Sequence, residues 1–210
     1  MSKLKVEVEQ DVFTAKVAQA FDYEGGFNGV IETEIPDFEF PEYNSYNIGL
    51  IVGASGSGKS TILKKVKPDC ELEVPWNPKK AIVSHFVTPE EAIKRLHACG
   101  LASIPTLCKP YHVLSNGEKY RARFARLLNN YLVMDEFTSE VNRETAKSLC
   151  VSVSKYTRKK DIKNIVLASC HKDIIPWLQP DWVFDCDSGE KFENDNVQEN
   201  LNRVAKITIG

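Results

Sequence analysis

Polar and apolar positions change period several times along this 210-residue chain. Residues 4–9 and 30–35 alternate in twos, the mark of half-buried strands, and residues 12–21 do so less regularly. Gly25, Gly26, Pro36 and Pro41 punctuate these runs, so residues from about 1 to 46 read as a small antiparallel β layer. From Asn47 to Val52 the pattern becomes continuously apolar, as in a strand covered on both faces. Further strands are expected at 81–83, 131–134, 164–169 and 182–185, with an alternating closing strand at 204–209.

Helical spacing separates these runs. Thr88 is placed to cap a helix with Pro89 at its first position and Glu91 completing a capping box, with Ala92, Ile93 and Leu96 on one face and Gly100 as the stop. Ser115-x-x-Glu118 is a second capping box ahead of a basic helical run, residues 119–128. Ala146, Leu149, Cys150 and Val153 mark the buried side of a third helix, closed by the positive charge of residues 155–160. The expectation is a single α/β domain over 1–210: a parallel sheet flanked by helices, the N-terminal β layer, and a short helical subdomain at about 86–128.

The strand at 47–52 breaks into Gly53-Ala54-Ser55-Gly56-Ser57-Gly58-Lys59-Ser60-Thr61. Glycines at 53, 56 and 58 allow positive φ and close approach of backbone N–H groups to an anion, and the helix that follows adds its positive end. Lys59 is then placed to reach β- and γ-phosphates, and Ser60 to set its hydroxyl on Mg²⁺ beside Thr61. The strand at 131–134 ends in Asp135 and Glu136, the pair of acids that such a loop needs close by: Asp135 to hold Mg²⁺ through water, Glu136 to face the attacked phosphate. His171 stands just past the strand at 164–169.

In order, residues 53–61, Leu114-Ser115-Asn116-Gly117-Glu118, Asp135-Glu136, Ser139-Glu140-Val141-Asn142 and His171 resemble the ABC-type ATPases. The resemblance implies an ABC ATPase-like P-loop NTPase core with ATP and Mg²⁺ as cofactors. By it, residues 53–61 are the Walker A loop, residues 114–118 the signature motif, and Asp135-Glu136 the end of the Walker B strand. Residues 139–142 take the D-loop position and His171 that of the switch histidine. It further implies two subunits sandwiching ATP, so that Ser115, Asn116, Gly117 and Glu118 of one chain meet the γ-phosphate held by Lys59 of the other. Glu136 would activate water and His171 would bond the γ-phosphate. Asn116, Glu118 and Asn142 depart from the usual residues, and Ser84-His85-Phe86 occupies the place of the Q-loop, with His85 as its substitute. Residues 135–139 and 171–178 look most like stand-alone ABC ATPases of bacteria and phages.

A net charge of −2 announces neither a nucleic-acid nor a membrane partner, and no apolar run reaches bilayer length. A cytoplasmic protein is expected, with its six cysteines reduced and mostly buried. The stretch from Lys59 to Ser115 covers 115 − 59 = 56 positions, which looks short beside transporter ATPases of the family, so a membrane partner is not expected; the ATP-dependent homodimer is what the resemblance implies. Nucleic acid is a candidate partner, through Lys155, Arg158, Lys159, Lys160 and Lys163. Two alternatives stay open: an ATP-binding subunit of a transporter, and an ATP-binding switch with little turnover. His97, Cys99, Cys108 and His112 match no common zinc spacing. Among the N-terminal aromatics Phe21, Tyr23, Phe27, Phe38, Phe40, Tyr43 and Tyr46, one could stack on adenine, although packing is the commoner role.

Overall fold

The computed structural model describes residues 2–21, 28–67 and 74–194. Gly25, Gly26, Tyr23, Phe27, Cys70 and the closing strand expected at 204–209 lie outside the described residues. The chain divides into two compact units, Met1–Asp37 and Phe38–Gly210.

In the first unit, strands β1 (Ser2–Glu7) and β2 (Val30–Ile35) pair antiparallel, with Lys5 opposite Glu32 and Lys3 opposite Glu34. The Lys5 ammonium lies 2.5 Å from the Glu32 carboxylate. Between them, residues 12–20 form a helix, α1 (Val12–Ala20), where the alternation suggested a strand. The decisive signal is the cap: Asp11 Oδ1 accepts the Phe13 and Thr14 N–H groups, while Thr14 Oγ1 accepts that of Asp11.

The second unit holds a five-stranded sheet in the order β4-β5-β3-β6-β7. Its strands are β3 (Ile48–Val52), β4 (Val133–Met134), β5 (Ile165–Ser169), β6 (Trp182–Asp185) and β7 (Glu190–Glu193). The first four are parallel, and β7 returns antiparallel to β6 through a turn at Gly189. All five residues of β3 are buried, as its unbroken apolar pattern requires. Gly49 is needed there because the Trp182 indole occupies the space a side chain would take: a Cβ would fall 1.9 Å from the ring. β7 is an exposed edge strand with three charged residues around the exposed Phe192, which explains why its sequence carries little strand signal.

The helices are α2 (Lys59–Val66), α3 (Pro89–Ala98), α4 (Ile104–Leu107), α5 (Asn116–Leu127), α6 (Arg143–Lys159) and α7 (Ile175–Leu178). Ala146, Leu149, Cys150 and Val153 of α6 are buried, as their spacing predicts. Thr88 caps α3, but Glu91 turns forward to Arg95 instead of back to the cap, and Ile93 is exposed while Ala92 and Leu96 are buried. Residues 81–83 are not a strand: Ile82–His85 is a 3-10 turn, and Ala81 makes an isolated bridge to Pro110. Phe38, Phe40 and Tyr46 pack around Trp182, and Tyr43 stacks on Tyr131, so these aromatics are committed to packing.

Candidate functional site

The parallel strands β3, β5 and β4 end at one edge of the sheet, and the motif residues gather there. From β3 the chain enters the loop at Gly53, where a Cβ would sit 2.5 Å from Ser57 Oγ and 3.0 Å from Cys186 Cβ. Gly56 and Gly58 take φ of 81° and 93°. Gly58 caps α2 without a side chain, so the first N–H groups of the helix face the loop with no side-chain acceptor from the cap. Lys59 lies across the loop mouth, its Nζ donating to the Gly53 and Ala54 carbonyls at 2.9 and 2.6 Å. Ser55 is exposed, Ser57 half-buried, and Thr61 half-buried in the first turn of α2.

The Ser60 hydroxyl meets the Asp135 carboxylate, joining the loop to the end of β4 across 75 positions of sequence. Asp135 also accepts the Glu136 N–H at 2.8 Å. Glu136 is exposed at the head of a tightly wound segment: Glu136 and Thr138 have φ of 52° and 70°. For non-glycine residues, and most of all for a β-branched threonine, such angles cost on the order of 1–3 kcal/mol each and persist only where neighbours fix them. The fixing contacts are present. Phe137 N–H donates to Ala168 O at 2.7 Å, Ser139 donates from both N–H and Oγ to Glu136 O, and Thr138 N–H donates to the buried Tyr120 hydroxyl at 3.0 Å. Ser169 Oγ donates to Phe137 O and accepts the His171 N–H, so His171 at the end of β5 is tied to the same segment.

Ser115 and Glu118 do form the capping box of α5, with Glu118 Oε2 accepting both the N–H and the hydroxyl of Ser115 at 2.9 Å. The Ser115 N–H is the main reason the Glu118 carboxyl is held below its ordinary pKa. Gly117 lies beside Glu140 O and Val141, so the start of α5 borders residues 139–142 of its own chain. Asn142 caps α6 through the Thr145 N–H at 2.9 Å, a structural use for the residue where the family pattern differs. His85 is not free to serve as a Q-loop substitute. Its Nε2 accepts Asn77 N–H and its Nδ1 faces Ala81 O, so both ring nitrogens are committed to backbone.

Sequence reasoning missed the brace on the other side of the loop. Asp187 Oδ1 accepts the Ala54 N–H at 2.9 Å, and Lys172 bridges Asp185 and Asp187 at 2.7 and 2.9 Å. The Ala54 N–H, then Lys172, holds the Asp187 carboxyl below its ordinary pKa. The register of β6 on β3 sets Asp185 opposite Val52, which places Asp187 next to the loop, but only the strand order reveals it. Missed too were Tyr120 and the 2.5 Å ion pair of Arg143 with Asp173. Cys99, Cys150 and Cys186 are buried and Cys108 and Cys170 exposed. Among the described residues no cluster of His, Cys, Asp or Glu could hold a metal as a group of three.

This arrangement, a glycine loop on a central parallel strand with a serine meeting an acid from a neighbouring strand, is the fold of the ATP-binding cassettes. The chain covers 93% of the ATP-binding cassette MJ0796, solved as a dimer in a post-hydrolysis state with ADP and Pi, at a TM-score of 0.53 with 15% identity over 80% of this chain. It is similar to cbiO1 of Clostridium perfringens, part of the ABC transporter complex cbiONQ, at a TM-score of 0.51 and 19% identity over 89% of this chain and 90% of that one. It is also similar to the ADP form of MJ1267, a cassette of an ABC transporter, at a TM-score of 0.51 and 17% identity, over 87% of this chain and 92% of that one. Among curated proteins it is similar to the probable ATP-binding protein YbiT of Escherichia coli O157:H7, 27% identical over 136 residues, half of this chain. The chain matches only 26% of that relative's length. No protein-family model matches. Among the described residues no helix is long and apolar enough to cross a membrane.

Proposed function

We propose that the chain is a Mg²⁺-dependent ATPase whose hydrolysing state is a sandwich of two copies. The observation that carries this is the meeting of Ser60 and Asp135 at the mouth of a glycine loop, with Glu136 next in sequence. A hydroxyl and a carboxylate side by side are the oxygen donors that suit Mg²⁺, which when bound there supplies charge neutralisation on the phosphates. The loop N–H groups and the start of α2 receive the phosphates. Lys59, now on the Gly53 and Ala54 carbonyls, turns its ammonium to the β- and γ-phosphates. Glu136 orients a water and accepts its proton as the water oxygen bonds to the γ-phosphorus and the bond to the β–γ bridging oxygen breaks. His171 donates a hydrogen bond to the γ-phosphate. Ser115 and the N-terminus of α5 complete the site of the second copy, lending hydroxyl, N–H groups and helix dipole.

The test is light scattering of Glu136→Gln protein with Mg²⁺, with and without ATP, alone and combined with Ser115→Arg. ATP is expected to double the mass of the first and leave the combined variant monomeric. A mass indifferent to ATP would remove the sandwich and leave residues 114–118 as an ordinary helix cap.

Nucleic acid as the object of hydrolysis draws less support from the basic run than its sequence suggested. Arg158 is tied to Asp181, Gln179 and Asn47, and Lys163 pairs with Asp161, leaving Lys155, Lys159 and Lys160 exposed. Serving a membrane partner is the second reading. It is favoured by the kinship in fold with transporter cassettes, and chain length does not separate the two, since 90% of the cbiO1 chain is covered. Copurification with membrane proteins would decide for it.

A further inference from the structure

We propose that Tyr120 is a positioning residue that sets the geometry of Glu136 from the start of α5, linking the surface offered to a second copy with the hydrolytic acid of its own chain. This rests on the ATPase reading above. Tyr120 is 2% exposed, and its hydroxyl accepts the buried N–H of Thr138 across 18 positions of sequence. Thr138 stands two residues after Glu136, and both hold left-handed φ that their side chains disfavour. Within this segment, the Ser139 bonds to Glu136 O are local, and Phe137 is held by the sheet at Ala168. The Tyr120 hydroxyl is the tether that comes from α5. Burial raises the pKa of its phenol, which keeps it an uncharged acceptor.

The same stretch of α5 touches the segment at two further points. Gly117 lies against Glu140 and Val141, and Arg123 pairs with Glu140 at 3.5 Å. Ser115, five residues before Tyr120, is the group assigned to the other copy's phosphate. A shift of the first turns of α5 on engaging that phosphate therefore moves the Tyr120 hydroxyl, and with it the backbone that aims Glu136. The path is a chain of discrete hydrogen bonds and close packing.

The experiment measures ATP turnover, ATP affinity, melting temperature and amide exchange at residue 138 in the parent, in Tyr120→Phe and in Tyr120→Phe combined with Thr138→Gly. Phenylalanine keeps the packing and removes the acceptor. The expected result is a kcat about tenfold lower or more with KM for ATP within about twofold, together with faster exchange at the Thr138 amide. A merely structural role would lower affinity and melting temperature together and leave no such split. Glycine takes positive φ without a tether, so the double variant should regain turnover by about threefold or more over Tyr120→Phe. The proposal is overturned if kcat stays within about twofold of the parent, if affinity falls as far as kcat, or if glycine restores nothing. A parent with no turnover overturns the ATPase reading as well, and the parent's own rate tells the two failures apart.

Discussion

The two ends of the parallel sheet carry polar networks of similar density, and only one of them is a site. At the N-terminal end, Arg158 donates to Asn47 Oδ1, to Gln179 O and to both oxygens of Asp181, while Asp181 Oδ2 also accepts the N–H groups of Asn47 and Ile48. Alongside, Asn164 Oδ1 accepts the Asn44 backbone N–H and Asn164 Nδ2 donates to Asn44 Oδ1. Helix and strand ends frame this network; Arg158 is only 12% exposed, and its Nε alone of the guanidinium nitrogens is buried without a hydrogen-bond partner. At the C-terminal end the backbone runs through positive φ at Gly56, Gly58, Glu136 and Thr138, and Glu136 and Ser60 are exposed. The difference teaches that charge alone does not mark function. Positive φ occurs at both ends, since Asn44, Asn164 and Gln179 beside Arg158 take φ of 65°, 59° and 48°, so what marks the site is exposed polar groups and N–H donors that a phosphate could satisfy.

Substitutions at the two ends should therefore fail in different ways. Glu136→Gln should lower kcat by roughly 10²–10⁴ while ATP still binds, because the amide keeps the shape and loses the proton acceptor. Turnover near the parent's in a phosphate-release assay would assign Glu136 another role. Lys59→Ala should weaken ATP binding by about 100-fold or more in calorimetry, since it removes the charge meant for the phosphates. An unchanged affinity would defeat the phosphate-loop assignment. Arg158→Ala works at the opposite end, about 16 Å away along a five-residue strand. It should destabilise the fold by about 2–4 kcal/mol, a drop in melting temperature of roughly 5–15 °C, because it breaks a nearly buried ion pair. ATP affinity should be unchanged, and a loss of affinity without a loss of stability would erase the distinction drawn between the two ends.

The sequence made the C-terminal end legible because its chemistry is local. The glycine spacing at 53–58, Ser115-x-x-Glu118 and the acids after β4 each declare themselves within a few residues. In the structure Ser60 meets Asp135 from strands that end at one edge, and the His171 N–H bonds the hydroxyl of Ser169 two residues before it. What stayed hidden depends on the order of the strands. Arg158 read as part of an exposed basic run, because nothing within its helix announces Asp181 or Gln179. Asp187 drew no reading at all, because its place beside Ala54 follows from β6 lying next to β3. Asp11-x-x-Thr14 was a local signal overlooked: a capping box outweighs weak alternation in deciding between helix and strand.

The smallest expected effect sharpens the comparison most finely, since Asp187 sits at the functional end yet acts as a brace. Its carboxylate takes the Ala54 N–H and faces Lys172, but it is largely open to water, so solvent screens both contacts. Asp187→Asn should lower the melting temperature at pH 7 by no more than about 2 °C. The sign of the pH dependence follows from its pKa, which is lowered in the folded chain from 3.8. A carboxylate so shifted stabilises the fold fully above its unfolded pKa, and the gain is lost as pH falls through the lower, folded value. Urea unfolding of parent and variant should thus differ by a constant margin from pH 5 to 7 and converge below about pH 4. If the margin grew on acidification, the bond to Ala54 would not be what Asp187 contributes. The tie from the β6 side to the loop would then be Cys186, whose N–H bonds Val52 O and whose Cβ packs against Gly53.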